Sequence, residues 1–220
     1  MERDRNPHKG RPVLAAGAGL EAAGGAVIMM HGRGAGASDI LSLAGSLARP
    51  DIACLAPDAA GQTWYPRPFM APRRDNEPDL TSALELIADI LGLLITHDIP
   101  PERTALLGFS QGACLVLEFA ARHPDRYGAV VALTGGLIGE TLDADEYTGS
   151  LEETPVFIGS SDVDPHIPLE RVRESARIME RLGGVVSERI YPGMGHLINE
   201  DERESIRLML DVMIPSETTR

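Results

Sequence analysis

One serine of the chain lies between two glycines, in the stretch LGFSQGA that covers residues 107–113. Gly108, Ser110 and Gly112 follow the pattern G-x-S-x-G, in which small neighbours let the chain turn sharply and raise the serine hydroxyl above the end of a strand. A hydroxyl attacks poorly until a base takes its proton, so a nucleophilic Ser110 needs a histidine and an orienting carboxylate further along the chain. An ordinary tight turn is the alternative interpretation.

Both partners occur downstream, in the order Ser, Asp, His. His196 ends the turn GMGH after the last predicted strand, and Asp162 and Asp164 lie in the loop SSDVDPHIP after the strand before it. The spacing alone does not choose between the two aspartates, since either could instead cap a helix. These residue types predict acyl transfer through a covalent acyl-serine intermediate.

The tetrahedral intermediate of that reaction needs two donors aimed at its oxyanion. The backbone N–H of Gln111 supplies one at the positive end of its helix. We expect the first strand-to-helix loop, HGRGA at residues 31–35, to supply the other from Arg33. No G-x-x-x-x-G-K-[ST] pattern supports a phosphate cradle in that loop, and His31 is predicted to hold the loop in place.

Metal and thiol chemistry have little support. The histidines and aspartates of these loops show neither HxH nor HExxH spacing. Cys114, four residues after Ser110 on the same predicted helix, is most simply a small buried side chain. We therefore expect neither a metal nor a cofactor.

Strands and helices alternate along the chain. Apolar runs predict strands over 26–30, 52–57, 104–109, 127–133, 155–158 and 185–190, and helical spacing predicts helices over 40–47, 79–96, 111–122, 169–182 and 200–213. This alternation indicates an α/β fold with a doubly wound, mostly parallel sheet covered by helices on both faces. The carboxyl ends of parallel strands meet at one edge, where Ser110, the aspartate loop and His196 would come together.

The length of 220 residues suits one domain rather than two. We assign residues 25–215 to that domain and the weakly patterned residues 1–24 to a flexible entry or a short edge hairpin. The irregular, proline-rich segment from 57 to 78 is either a functional loop or a packed surface loop. Six side chains of this segment and of two later loops either rim the substrate site or serve loop packing: Trp64, Tyr65, Phe69, Met70, Leu137 and Met194.

The net charge of −13, from 33 acidic and 20 basic residues, repels phosphate backbones and anionic headgroups. We expect no nucleic-acid binding and no stable membrane association, and the acidic loop over 140–153 should disfavour anionic substrates. No apolar run approaches the roughly 20 residues that span a bilayer, and the first residues lack the apolar stretch of a secretion signal. With only two cysteines and no CxxC, a cytoplasmic location fits best.

Four motifs in succession, MHGRGA, GFSQGA, DPHIP and GMGH, resemble the phospholipase/carboxylesterase family over residues 26–213. That family includes acyl-protein thioesterases and small bacterial carboxylesterases. The resemblance implies an α/β-hydrolase fold without a large lid and suggests a homodimer. It also implies Ser110 as nucleophile, Asp164 as acid, His196 as base, and the amides of Arg33 and Gln111 as the oxyanion hole.

The expected activity is hydrolysis of a small-molecule carboxylic ester with a short to medium chain. An acyl thioesterase or a lysophospholipase with the same triad is the first alternative, because the same site could expel either leaving group. A non-catalytic binding protein on a hydrolase scaffold is the second, because a fold alone does not give a function.

Overall fold

The computed structural model describes residues 6–47 and 49–215, so residues 1–5 of the predicted N-terminal segment lie outside the described part of the chain. The strands are β1 Val13–Gly17, β2 Gly25–Met30, β3 Ile52–Pro57, β4 Thr104–Phe109, β5 Ala129–Leu133, β6 Pro155–Ser161 and β7 Val185–Tyr191. The helices are α1 Ala37–Leu41, α2 Ala44–Leu47, α3 Asp79–Thr96, α4 Gln111–Arg122, α5 Leu169–Arg181 and α6 Glu200–Met213.

The strands form one sheet in the order β1-β3-β2-β4-β5-β6-β7. β1 runs antiparallel to β3, and the remaining neighbouring pairs are parallel. The predicted mostly parallel sheet is confirmed. The N-terminal segment contributes β1 to the sheet edge, where it pairs with β3 and does not fold back on β2 as a hairpin would.

Most predicted elements lie within two residues of their predicted bounds, and two differ by more. The predicted helix over 40–47 is two short helices, α1 and α2. β6 continues three residues past its predicted end, because Gly159, Ser160 and Ser161 still pair with β7. The strand was predicted from its apolar run, and these three small or polar residues do not continue that run.

Helices cover both faces of the sheet. Alternate side chains of a strand point to opposite faces, so Ala26, Ile28 and Met30 pack with α3, α4 and α5, while Val27 and Met29 pack with α1, α2 and α6. β2 is buried along its whole length, as expected of a central parallel strand. Within the described residues, no helix combines the length and the apolar character needed to cross a bilayer.

The acidic loop after β5 is fixed to the α4 and α5 side of the sheet. Glu118 of α4 is fully buried and accepts hydrogen bonds from the Ile138 N–H at 2.9 Å, the Tyr147 hydroxyl at 3.1 Å and the Arg122 guanidinium at 2.6 Å. Arg171 of α5 donates to the carbonyl oxygens of the same loop. A buried carboxylate needs such partners, so this network holds the loop in one position.

Candidate active site

Ser110 occupies the single residue between β4 and α4, in a conformation that favours glycine. Its φ is 56° and its ψ is −117°, a region that costs a non-glycine residue about 1–3 kcal/mol. The flanking glycines make this turn sterically possible. A Cβ on Gly108 would lie 2.2 Å from the Gly112 carbonyl oxygen, and one on Gly112 would lie 2.1 Å from that of Met30.

His196 is hydrogen-bonded to both Ser110 and Asp164. Its Nε2 lies 2.8 Å from Ser110 Oγ, and its Nδ1 lies 2.7 Å from Asp164 Oδ2. The carboxylate can only accept, so Nδ1 carries the proton and the lone pair of Nε2 faces the serine hydroxyl. This tautomer is the one in which a histidine can take the proton of Ser110.

Asp164 is held in its ionised form by donors on both oxygens. Burial alone would raise the pKa of this carboxyl, but the His166 N–H at 2.7 Å, the His196 ring and the Ile167 N–H at 2.9 Å outweigh that effect, and the pKa lies below its usual value. The Asp164 side chain has no exposed surface. The Asp164 carboxylate is therefore negatively charged next to the imidazole and can stabilise the cationic form of His196.

Asp162 has a different contact. Its Oδ1 accepts a hydrogen bond of 2.8 Å from the N–H of Gly193, and the neighbouring Ser161 hydroxyl oxygen accepts one of 3.0 Å from the N–H of Gly195. Both glycines have positive φ, which only glycine adopts without strain. The aspartate loop thus ties down the turn that carries His196, while only Asp164 touches the imidazole.

The two predicted oxyanion donors line the same cavity as Ser110. Gln111 is the first residue of α4, where backbone N–H groups have no partner within the helix, and Arg33 lies in the loop after β2, next to Gly32. Within the described residues neither N–H has a hydrogen-bond acceptor. His31 holds the loop, because its Nδ1 is 2.8 Å from the Gly32 carbonyl oxygen and its Nε2 accepts the Ala59 N–H at 3.1 Å. Burial lowers the pKa of His31 and so favours this neutral form.

The side chains of Arg33 and Gln111 bind one and the same segment, residues 63–67. The Arg33 guanidinium donates to the Thr63 hydroxyl at 2.9 Å and to the Tyr65 carbonyl oxygen at 2.8 Å, with further bonds to the next two carbonyls. The Gln111 amide donates to that same Tyr65 oxygen at 2.8 Å and accepts the Trp64 N–H at 3.0 Å. The proline-rich segment is therefore fastened to both predicted oxyanion residues.

A cavity of about 540 Å³ opens beside Ser110 and His196. Arg33, Gln111 and His166 contribute to its walls, and His166 packs edge-on to His196 with 5.0 Å between ring centroids. The remaining lining residues give the cavity its apolar character: Tyr65, Pro66, Pro68, Phe69, Cys114 and Ile167. Four of these belong to the proline-rich segment.

The prediction of the substrate-binding side chains needs correction. Tyr65 and Phe69 line the cavity, but Trp64, Met70, Leu137 and Met194 are not among its walls. Trp64 is fully buried behind the loop, where its indole N–H donates to the His31 carbonyl oxygen at 2.8 Å. Leu137 is also fully buried in the core.

Several lining residues were missed by sequence reasoning. Cys114 could have been found from its spacing, since residues four apart share one face of a helix. His166 and Ile167 directly follow Asp164, so their proximity to the site was also implicit. Pro66 and Pro68 lie in an irregular segment whose direction no periodic pattern reveals.

Comparison with known proteins identifies the family and the fold. A family model described as phospholipase/carboxylesterase matches residues 18–214. A crystal structure of a phospholipase/carboxylesterase from Dyadobacter fermentans superposes with a TM-score of 0.88 and 42% identity, covering 91% of this chain and 96% of that one. The crystal structure of esterase PE8, at 24% identity and a TM-score of 0.75, shares the fold.

Curated relatives match over part of their length. An acyl-protein thioesterase 1 of Gibberella zeae is 32% identical over 123 residues, which are 55% of this chain and 52% of the relative. A probable carboxylesterase, SOBER1-like, of Arabidopsis thaliana is 23% identical over 160 residues, or 71% of this chain and 61% of the relative. The chain thus spans about half to three fifths of the length of these relatives.

Proposed function

The chain belongs to the phospholipase/carboxylesterase family, and from this premise we propose that it is a serine carboxylesterase that hydrolyses short- to medium-chain carboxylic esters. The observation that carries the proposal is the pair of hydrogen bonds from Ser110 to His196, at 2.8 Å, and from His196 to Asp164, at 2.7 Å. A serine at a strained turn, joined to a base of the correct tautomer, is the arrangement that acyl transfer requires.

In the first half of the reaction Ser110 Oγ attacks the ester carbonyl carbon while His196 Nε2 takes the hydroxyl proton. The carbonyl oxygen becomes an oxyanion facing the N–H groups of Arg33 and Gln111, and each such donor contributes about 10²- to 10³-fold to turnover. His196 then returns the proton to the leaving alcohol as the carbon–oxygen bond breaks. The acyl group stays on Ser110.

In the second half water replaces the alcohol. His196 removes a proton from water, the hydroxide attacks the acyl carbon, and the same N–H groups receive the second oxyanion. Ser110 leaves with the proton from His196, and the carboxylic acid is released. Asp164 stays ionised throughout, because the three donors around it favour its charged form.

The cavity supports a substrate of limited length. Its volume of about 540 Å³ lies within the roughly 300–1,000 Å³ of small-molecule sites. Tyr65, Phe69 and Cys114 are almost fully buried, so they bound the cavity on its inner side. An apolar acyl chain fits these walls better than a charged one.

Hydrolysis of p-nitrophenyl esters from acetate to palmitate tests the proposal. Ser110→Ala should lower kcat by about 10⁴-fold or more on every ester that the wild type cleaves, and it should abolish labelling by a fluorophosphonate probe. Ser187→Ala, at an exposed position of β7, is the matched control and should behave as wild type. Turnover by Ser110→Ala at the wild-type rate would refute the proposal, and a wild type that neither turns over nor labels would favour a non-catalytic binding protein.

Thioester hydrolysis is the second candidate, favoured by the relative named acyl-protein thioesterase 1. The butyryl ester of N-acetylethanolamine and the butyryl thioester of N-acetylcysteamine differ by one atom, so they compare the two leaving groups directly. We expect the enzyme to accept both, since a thiolate leaves more easily than an alkoxide. The ratio of kcat/KM for the thioester to kcat/KM for the ester is compared with the ratio of their rates of uncatalysed hydrolysis by hydroxide. If the enzymatic ratio is the larger, the enzyme is a thioesterase.

A further inference from the structure

A second cleft lies next to the site, between α1 and the start of α6. It has a volume of about 330 Å³, and its walls include Gly32 and Phe109, the neighbours of the proposed catalytic residues Arg33 and Ser110. A Cβ on Gly32 would lie 3.4 Å from the Cβ of Ser110, and the Phe109 ring packs 5.1 Å from that of His196. The cleft, here called the α1/α6 cleft, therefore begins at residues that touch both Ser110 and His196.

Arg203 of α6 lines this cleft, and it is not paired with a carboxylate. The side chain is half-buried, its Nε atom is buried without a hydrogen-bond partner, and no carboxylate within the described residues forms an ion pair with this guanidinium. Arg207, one helical turn further along α6, also has a buried Nε without a partner, but its terminal nitrogens pair with Glu200 and Glu204. A buried donor atom is costly unless it has an acceptor, and Arg203 has no carboxylate partner at all, so it has the chemistry of a ligand-binding residue.

We propose that the α1/α6 cleft binds a carboxylate on the alcohol part of the ester, with Arg203 as its partner. This inference rests on the proposed esterase function and deepens it. The acyl chain occupies the larger apolar cavity, and the leaving oxygen must lie near His196, which returns the proton to it. The alcohol then extends past Phe109 into the cleft, where Arg203 meets its charged end.

The surrounding charges favour a carboxylate over a phosphate dianion. Asp39 lines the same cleft, and α6 begins with Glu200, Asp201 and Glu202. A doubly charged group would meet more repulsion from these carboxylates and from the net charge of −13 than a singly charged one. The acidic loop over 140–153 does not oppose this binding directly, because Tyr147 and the Glu140 carbonyl attach it to α4 and α5, on the face of the sheet opposite to α1 and α6.

Two esters that differ by one carboxylate test the inference. Phenyl acetate and 3-acetoxybenzoate share the acetyl group, and only the second carries an anion on its leaving phenol. The ratio of their kcat/KM values, charged over neutral, should fall by about 10- to 100-fold in Arg203→Met, since a charge-assisted pair is lost. Arg203→Lys, which keeps the charge, should recover part of the ratio, and Arg207→Met, which removes a neighbouring cation of α6, should keep the wild-type ratio.

Calorimetric titration with 3-hydroxybenzoate, the product alcohol, provides a readout that does not depend on catalysis. It should bind to the wild type and to Arg207→Met, and at least about tenfold more weakly to Arg203→Met. Equal binding by Arg203→Met, or no binding by the wild type, overturns the inference. Failure of the esterase function appears separately, as the absence of phenyl acetate turnover by the wild type, and the titration still decides the cleft in that case.

Discussion

Asp164→Asn should prevent His196 from acting as a base while the positions of the side chains in the site are kept. The amide oxygen of asparagine can still accept the N–H groups of His166 and Ile167, which lie 2.7 and 2.9 Å from Asp164 Oδ1. The amide nitrogen then occupies the position of Oδ2, 2.7 Å from His196 Nδ1. Two donors cannot share that contact, so the ring must carry its proton on Nε2, facing Ser110, where it can no longer accept the hydroxyl proton.

The size of the effect follows from the free energy needed to return the ring to its reactive tautomer. With the proton back on Nδ1, the ring lacks its hydrogen bond to a charged acceptor, which costs about 1.5–3 kcal/mol, and its N–H faces the amide N–H as an unpaired buried donor, which costs about 1–3 kcal/mol more. Together they amount to about 3–6 kcal/mol, which corresponds to a loss of about 10²- to 10⁴-fold in rate. The imidazolium also loses its anion, so we expect a fall in kcat of about 10⁴-fold, as tautomer reversal produces in serine proteases. KM should change little, because Asp164 is not among the cavity walls.

The assay is steady-state hydrolysis of p-nitrophenyl butyrate by Asp164→Asn and by the matched variant Asp162→Asn. Asp162 accepts a hydrogen bond from Gly193 and does not touch the imidazole. Asparagine keeps an acceptor there, so this variant should stay within about tenfold of the wild type. Thermal unfolding of both variants checks that each is folded. If Asp164→Asn keeps more than a tenth of the wild-type kcat, or if Asp162→Asn is the more damaged of the two, the assignment of the acid is wrong.

Three further changes should have measurable effects. Gly108→Ala places a Cβ 2.2 Å from the Gly112 carbonyl oxygen, so it should lower kcat and should lower the free energy of unfolding by about 1–3 kcal/mol. The control Gly92→Ala, at an open position of α3, should raise the free energy of unfolding by up to about 1 kcal/mol. Equal effects of the two variants in urea titrations would contradict the steric argument. Burial raises the pKa of Glu202 from 4.5 to about 7, so its contribution to stability is present below pH 4.5 and is lost as the pH rises to about 7. The free energy of unfolding should fall over this range by at most roughly 3 kcal/mol. Glu202→Gln should make that fall smaller, and an unchanged pH profile of the unfolding free energy in this variant would exclude the effect. Cys114→Leu narrows the cavity and should shift the preferred p-nitrophenyl ester to a shorter acyl chain, while an unshifted optimum would mean that the chain does not reach this wall.

The fold and the order of the site residues could be predicted from the sequence because both depend on local patterns. Buried parallel strands appear as apolar runs, and their carboxyl ends must meet at one edge. That single constraint was sufficient to bring Ser110, the aspartate loop and His196 together. The choice between Asp162 and Asp164 could not be made from spacing, because it depends on how the loop folds over the His196 turn.

The direction of side chains in irregular segments could not be predicted. Trp64 and Tyr65 are adjacent, yet Tyr65 lines the cavity and Trp64 packs under the loop with His8 and His31. No periodicity relates such neighbours, since their orientation is set by distant partners such as Gln111. The sequence also does not show that Arg203 lacks an ion pair, because this depends on which acidic residues the fold brings close to it.

The contacts of Asp162 and Ser161 with the two glycines of the His196 turn have a consequence for engineering. These hydrogen bonds link two loops that are about 30 residues apart in the chain, so the position of one loop depends on the other. A designer who transplants or randomises one loop without the other would separate the base from its support. The two loops should therefore be exchanged as a single cassette, whereas changes in the wall formed by residues 65–69 should be limited to side chains, because its backbone carbonyls bind Arg33 and Gln111.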